Sequence, residues 1–454
     1  MSCMHRRNFL RLGLNAAAAP ALAAAAAAPL PARPNPEQTG GTAARASRRT
    51  GIFLSHRIGT DHAEALSVLD MNGDGRPDIV SGAYWYENPG ALGVEWKRHQ
   101  WRDIGVWPFR ITRVNKIEFV ADCAQFVVDV NHDGAPDIVT AAWQTDGVWW
   151  YENPKNPGGS WKEHFICHSK ATEGGAYADV NGDGVPDVIL SHYMPSNLIW
   201  INFAGQEPVV HYIGGKTADG HGVGVADITG NHKPDILSVH GWLENVDADH
   251  DKWTWHADWE LGEAGFPILG YDVNGDGKMD LIYGHGHSYG LYWLEQKVSA
   301  GRRTWERHTI DDSFSEAHAL KLADIDGDGE LELITGKRYR GDPDPGMYDP
   351  LCIFYYKLDR RTATFTRFPI SYNGTAGIGT QIMVTDIDGD GDQDILVAGK
   401  TGVHWLENLL VDKVPAKIRE QELWLNVNWP FPGESGPNSP GGHEIDSASI
   451  VKCE

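Results

Sequence analysis

Cysteine is scarce in this chain. Five residues in 454, widely scattered, cannot make the disulfide framework that staples small secreted domains. Basic residues are also in deficit. Lys and Arg number 39 against 62 Asp and Glu, a formal net charge of −23, which argues against binding nucleic acid or an anionic membrane surface. Past the N-terminal stretch, no apolar run approaches the ~18 residues needed to cross a bilayer, so no membrane span is expected. No nucleophile triad stands out either. What the chain has in quantity is Gly (52), Pro (25), Trp (18), Tyr (15) and Phe (13), the composition of a turn-rich, all-β fold.

The N-terminus reads Arg6-Arg7-Asn8-Phe9-Leu10-Arg11 and continues into an alanine-rich stretch to Ala28. A basic start, a short apolar run and small residues describe an export signal, assigned to residues 1–32. Its paired arginines resemble bacterial twin-arginine signals, whose cargo crosses the membrane already folded. The mature protein is therefore expected to be periplasmic or secreted. Residues 33–49, rich in Pro, Gly, Ala and Thr, read as a flexible leader.

A nine-residue pattern, D-x-N-G-D-G-x-x-D, recurs along most of the rest. Its oxygen-bearing positions are Asp70, Asn72, Asp74 and Asp78 in the first copy. They are Asp129, Asn131, Asp133 and Asp137 in the second, and Asp179, Asn181, Asp183 and Asp187 in the third. Further on come Asp272, Asn274, Asp276 and Asp280, then Asp324, Asp326, Asp328 and Glu332, then Asp386, Asp388, Asp390 and Asp394. A worn copy spans Asp227 to Asp235, with Thr229 and Asn231 at inner positions. Carboxylate and amide oxygens at positions 1, 3, 5 and 9, with glycines between, suit a tight turn around Ca²⁺, which takes 6–8 oxygen ligands. In the worn copy Asn231 and His232 weaken the site. Such ions would be structural, stabilising the fold by binding only its native form.

Each loop is flanked by apolar runs, followed by an aromatic strand such as Trp85-Tyr86-Glu87-Asn88 or Trp405-Leu406-Glu407-Asn408, then an aromatic-x-x-His strand such as Trp161/His164. The last unit lacks that fourth strand, but Phe53-Leu54-Ser55-His56 precedes the first. The arithmetic gives a seven-bladed β-propeller over residues 50–410, its ring closed by the N-terminal strand, with a Pro/Gly-rich tail at 411–454. The repeats resemble FG-GAP (VCBS) repeats, the calcium-loop blades of integrin α-chains and of many secreted bacterial proteins.

The face away from the acidic loops can be read by counting. Six residues before each loop stand Glu64, Cys123, Glu173, His221, Phe266, His318 and Thr380; five after it come Ala83, Ala142, His192, His240, His285, Lys337 and Gly399. Titratable groups gather in units three to six, beside Tyr193, His287, Tyr289, Arg338, Tyr339 and Arg340. The histidines of the fourth strands recur in nearly every unit and read as structural. The confined set reads as a working funnel: His192, Tyr193, His221, His240, His285, His287 and His318 as acids or bases, with Lys337 and Arg338 to stabilise an enolate. Trp143, Glu173, Tyr289, Tyr339 and Arg340 would then hold the substrate.

This constellation resembles carbohydrate lyases built on propellers: the aldos-2-ulose dehydratase propeller, ulvan lyases and rhamnose–glucuronate lyases. The resemblance implies β-elimination on a keto-sugar or uronic-acid saccharide, with a further divalent metal in the funnel of some members. Two other readings stay open. One is a non-catalytic propeller binding a glycan or protein ligand; the other is a hydrolase using metal-activated water at His192, His240 and His285.

Overall fold

The computed structural model describes residues 53–110, 116–192, 197–339 and 344–410. The expected signal (1–32), leader (33–49) and tail (411–454) lie outside the described residues, as do Tyr193 and Arg340. Apart from two single-turn 3₁₀ segments, the regular elements among the described residues are all strands. They form an all-β propeller arrangement. Five separate four-stranded antiparallel sheets are joined by an eight-stranded sheet and a two-stranded ribbon. The eight-stranded sheet holds two four-stranded meanders whose strands Val223–Ala226 and Ile268–Tyr271 pair in parallel. Gly224 permits that approach, because a Cβ there would lie 1.9 Å from the Ile268 carbonyl oxygen. The ribbon, Val106–Arg110 with Lys116–Val120, falls between the first and second sheets and accounts for the wide spacing of their loops.

Each acidic loop links a short strand, such as Ser67–Leu69, to the next one, Asp78–Ser81. The first aspartate organises the turn. Asp70 accepts backbone N–H groups from Gly73, Asp74 and Gly75. The ninth residue, Asp78, is fully buried and accepts from Met71 in the loop and from Asn88 at the end of the aromatic strand. The worn copy keeps this frame: Asp227 accepts from Gly230, Asn231 and His232, and Asp235 from Ile228 and Asn245. The turn is thus set by backbone hydrogen bonding to positions 1 and 9, whatever occupies positions 3 and 5.

The amide ending the aromatic strand bolts one sheet to its neighbour. Asn245 donates to Val180, Gln296 to Ile228, and Asn408 to Ile325, each reaching the acidic loop of the preceding four-stranded unit. Asn88 makes the same bond to Ile387, in the last loop of the chain. A single apolar cluster joins Leu66, Ile79 and Tyr86 to Leu396, Val403 and Trp405. The N-terminal strand Phe53–Gly59 pairs antiparallel with Gly402–Asn408, so the last sheet is completed from the far end of the chain.

The outer strands carry a repeated latch. His99 stacks on Trp85 and bonds Glu87; His164 stacks on Trp150 and bonds Glu152; His256 stacks on Trp242 and bonds Glu244. His56 with Trp405 and Glu407, and His308 with Trp293 and Glu295, do the same. His211 lies on Trp200 but turns to Asp251. In the remaining sheet Phe368 stacks on Tyr355 instead.

Candidate functional site

The inner strands Gly175–Ala178, Val223–Ala226 and Ala317–Ala323 each run into an acidic loop. At their opposite ends, Glu173, His221 and His318 meet. His221 Nε2 stands 2.9 Å and His318 Nε2 3.1 Å from Glu173 Oε2. His287, in the turn between Asp280–Gly284 and Tyr289–Ser299, brings its Nε2 to 3.6 Å from the same oxygen. Arg338 approaches both Glu173 oxygens, at 3.2 and 3.3 Å. Gly286 lets the turn close over this hub, since a Cβ there would lie 2.9 Å from His221 Cε1 and 3.0 Å from His318 Cδ2.

Beyond Arg338 the charges alternate inward. Its guanidinium makes a bidentate pair with Glu64 at 2.7 and 2.9 Å, and Lys400 bonds the same carboxylate at 2.8 Å. Burial disfavours the Glu64 carboxylate, yet the charges of Arg338 and Lys400 hold it down at about 2. Burial acts likewise on Glu173, and Arg338 with the three imidazoles keeps it well below the usual carboxylate range. For His318, burial and then Arg338 push the imidazole well below its ordinary value, so it is neutral. Burial also opposes charge on His287, but Asp344, 2.8 Å from Nδ1, and Glu173 raise it to about 10.

Around the hub lie the other expected residues. His240 stands over Gly220, next to His221, with Nδ1 2.7 Å from Glu260 and Nε2 4.0 Å from Asp219. His285 packs against Tyr283 and Tyr292, and burial, then Arg307, lowers its pKa. The Tyr289 hydroxyl bonds Asp349; burial and that carboxylate push the phenol up to about 12. Trp143 is 42% exposed and Tyr339 half-buried. Of His192 only the strand is described, its side chain lying outside the described residues.

Two expectations need correction. Lys337 and Arg338 do not face open space to stabilise an enolate. Lys337 is buried against Glu316 and Ser315, and Arg338 between Glu64 and Glu173, so both charges are already neutralised. The imidazoles that converge are His221, His287 and His318, while His240 and His285 take separate partners. Counting missed Lys400, one position beyond Gly399 and in register with Arg338, and passed over Glu64 for lying outside units three to six. No sequence signal marked Asp344, Asp349 or Glu260.

The acidic loops can be tested against a hard cation. In two of them the carboxylates converge: Asp324, Asp326 and Glu332, and Asp386, Asp388 and Asp394. Asp326 Oδ1 is buried without a hydrogen-bond partner, as a metal-facing oxygen would be. In the first of these, however, Lys357 pairs with the other Asp326 oxygen, and elsewhere basic side chains lie on the fifth position, Arg76 on Asp74, Lys155 on Asp133 and Lys278 on Asp276. The donor set fits Ca²⁺ best in the last loop, where Asp386, Asp388 and Asp394 converge.

An FG-GAP-like repeat model matches residues 129–190, 179–238 and 272–335, and an FG-GAP repeat model matches 62–94. The chain therefore carries FG-GAP repeats in a β-propeller arrangement. It is 27% identical over 169 residues to the rhamnogalacturonan exolyase YesX of Bacillus subtilis (strain 168), covering 31% of this chain and 27% of that protein. The match spans about a quarter of the curated relative's length. The crystal structure of exotype rhamnogalacturonan lyase YesX covers 78% of this chain and 75% of its own at 12% identity and a TM-score of 0.41. The Vibrio cholerae biofilm matrix protein Bap1 covers 80% and 89% at 12% identity and a TM-score of 0.42. Among the described residues, no helix is long and apolar enough to cross a membrane.

Proposed function

We propose that this chain is an exported carbohydrate lyase that cleaves a carbon–oxygen bond by β-elimination on a uronic-acid saccharide or keto-sugar. The observation that carries this reading is the convergence of His221, His287 and His318 on Glu173, with His240 and His285 in turns beside them and Tyr289 at the start of the following strand. The sequence similarity to a rhamnogalacturonan exolyase supports the same class.

In such a reaction a base removes the proton next to the substrate's carboxylate or carbonyl. The electron pair forms a carbon–carbon double bond, the β carbon–oxygen bond breaks, and the departing oxygen takes up a proton. His240 has the geometry of the base, its Nδ1 oriented by Glu260 and its half-exposed ring turned to solvent. Tyr289, whose hydroxyl bonds Asp349 and keeps its proton at neutral pH, would serve as the acid. Trp143 and Tyr339 would flank the sugar. With Lys337 and Arg338 already neutralised, positive charge for the enolate has to come from the hub.

The scaffold belongs to the same proposal. Seven blades are supported by five separate sheets plus the two meanders of the eight-stranded one. Closure of the ring is supported by the Asn88–Ile387 bond, which repeats the neighbour-to-neighbour amide contact, and by the completing strand Phe53–Gly59. Calcium in up to six loops would brace these blades. Residues 1–32 would direct the protein to the periplasm or beyond.

The test is absorbance of unsaturated sugar products across uronate oligosaccharides and keto-sugars. His240→Ala is expected to lower turnover ~10²–10⁴-fold, the usual cost of removing a positioned acid or base. Binding without turnover on every substrate would move the protein to the binding class.

A further inference from the structure

The hydrogen bonds around Glu173 leave two of its three histidines with a conflict. His221 Nδ1 lies 2.6 Å from the Ala264 carbonyl oxygen and His287 Nδ1 lies 2.8 Å from Asp344. Neither acceptor has a proton to give, so both Nδ1 atoms must carry hydrogen. In a neutral imidazole the other nitrogen, Nε2, is then a lone pair. Both Nε2 lone pairs point at Glu173 Oε2, itself an acceptor. His318 adds a third Nε2 to the same oxygen, while its Nδ1 is buried without a partner.

Two arrangements resolve this. Without a metal, Asp344 and Glu173 favour a proton on His287, and protonating His221 as well would set two imidazoliums with ring centroids 4.8 Å apart, beside the Arg338 guanidinium, in a place where their side chains are 2% and 15% exposed. A divalent ion supplies the same two charges and uses the lone pairs as they stand. The spacing accommodates the ion. Donor atoms about 2.1 Å from a tetrahedral metal stand roughly 3.4 Å apart; here the nitrogens lie 2.9, 3.1 and 3.6 Å from the carboxylate oxygen. All four donor atoms lie within 4.8 Å of one another.

The surroundings are those of a built site. Nδ1–H on a carbonyl or carboxylate is how metal-binding imidazoles are oriented. Arg338 bridges both Glu173 oxygens and so fixes the carboxylate plane, itself held by Glu64. We propose that Glu173, His221, His287 and His318 bind one divalent first-row transition metal ion, distinct from the oxygen-lined loops at the other ends of the inner strands. Three nitrogens and one oxygen favour Zn²⁺, Co²⁺ or Ni²⁺ over Ca²⁺ or Mg²⁺. The ion would tie three sheets together at the hub and place a positive charge there. The inference rests on geometry and does not require the lyase reading.

The test uses the full-length protein and no substrate. Protein purified without chelator is expected to hold one equivalent of transition metal by mass spectrometry. After stripping, Co²⁺ is expected to restore visible d–d bands that saturate at one equivalent and resist excess Ca²⁺. Glu173→Gln and His287→Ala should weaken Co²⁺ binding at least ~10-fold, and Asp344→Asn, which removes only the partner of His287, about 10–100-fold. If Glu173→Gln fails to fold, the half-buried Asp344→Asn reads the same property. No equivalent of metal in wild-type protein under either condition, displacement by Ca²⁺, or doubly protonated His221 and His287 by ¹⁵N NMR would each overturn the site. An inactive protein that holds the metal would overturn the lyase reading alone.

Discussion

At the rim, imidazoles lie flat on tryptophans with a nitrogen on a carboxylate, and the arrangement recurs sheet after sheet. At the hub, three imidazoles stand edge to face around one carboxylate, each from a different part of the chain, and nothing repeats. The same residue type is a fastener in one place and a candidate for chemistry in the other. What separates them is how they are partnered. His99, His164 and His256 each find both partners on the adjacent strand of their own sheet, about a dozen residues away, so the latch travels with the repeat. A hub histidine meets Glu173 across 48 or 145 residues, a contact that only the assembly of several sheets creates.

The sharpest way to break the comparison is at Arg338, which belongs wholly to the hub. It is 1% exposed and is shared by Glu64 and Glu173. Arg338→Ala leaves two carboxylates buried without their guanidinium. A loss of about 3–5 kcal/mol in unfolding free energy is expected, as for other buried pairs broken on one side. Denaturant unfolding measures it. A loss near that of a rim variant would mean that the hub charges are hydrated and interchangeable.

These two regions were unequally legible in the sequence. The acidic loops, the aromatic strands and the rim histidines follow a fixed spacing, because each is satisfied within one sheet or by its immediate neighbour. Counting also put Glu64, Glu173, His221 and His318 in one register, since they precede equivalent inner strands. What spacing could not carry is the pairing across the ring. Arg338 looked available because its partner Glu64 lies 274 residues away. Lys337 looked available because Glu316, at a neighbouring register position, gave no sign of turning toward it. Asp344 sits in an irregular segment after Arg338, where no period applies. Charges that cancel over such distances become visible only when the sheets are in place.

His404 offers an intermediate case, buried like the hub but without its carboxylate. Burial, and then Arg57, lowers its pKa from the ordinary value to about 4, and Thr375 is its hydrogen-bond partner at 3.3 Å. A depressed histidine binds its proton more readily unfolded than folded. Its contribution is therefore complete above the unfolded value near 6.5 and is lost as pH falls toward 4. Between pH 7 and pH 5 a decline on the order of 2 kcal/mol is expected from this residue, and His404→Gln should remove that part of the slope. Unfolding curves at the two pH values, for both proteins, decide it. An unchanged slope in the variant would place the pH sensitivity elsewhere.

The smallest effect is expected at the rim, and it sharpens the comparison from the other side. His164 stacks on Trp150 with centroids 4.2 Å apart and bonds Glu152 at 2.8 Å. The ring is partly exposed, and Glu152 keeps access to water and to Lys162 when the imidazole is gone. No buried charge is stranded, so His164→Ala should lose little more than the stack, about 0.5–1.5 kcal/mol. Four other histidines keep the same latch, and the hub is untouched. Turnover and hub metal content should therefore match the parent protein. A fall in turnover with only this small loss of stability would show that the outer strands position the hub, and the division between fastener and site would have to be redrawn.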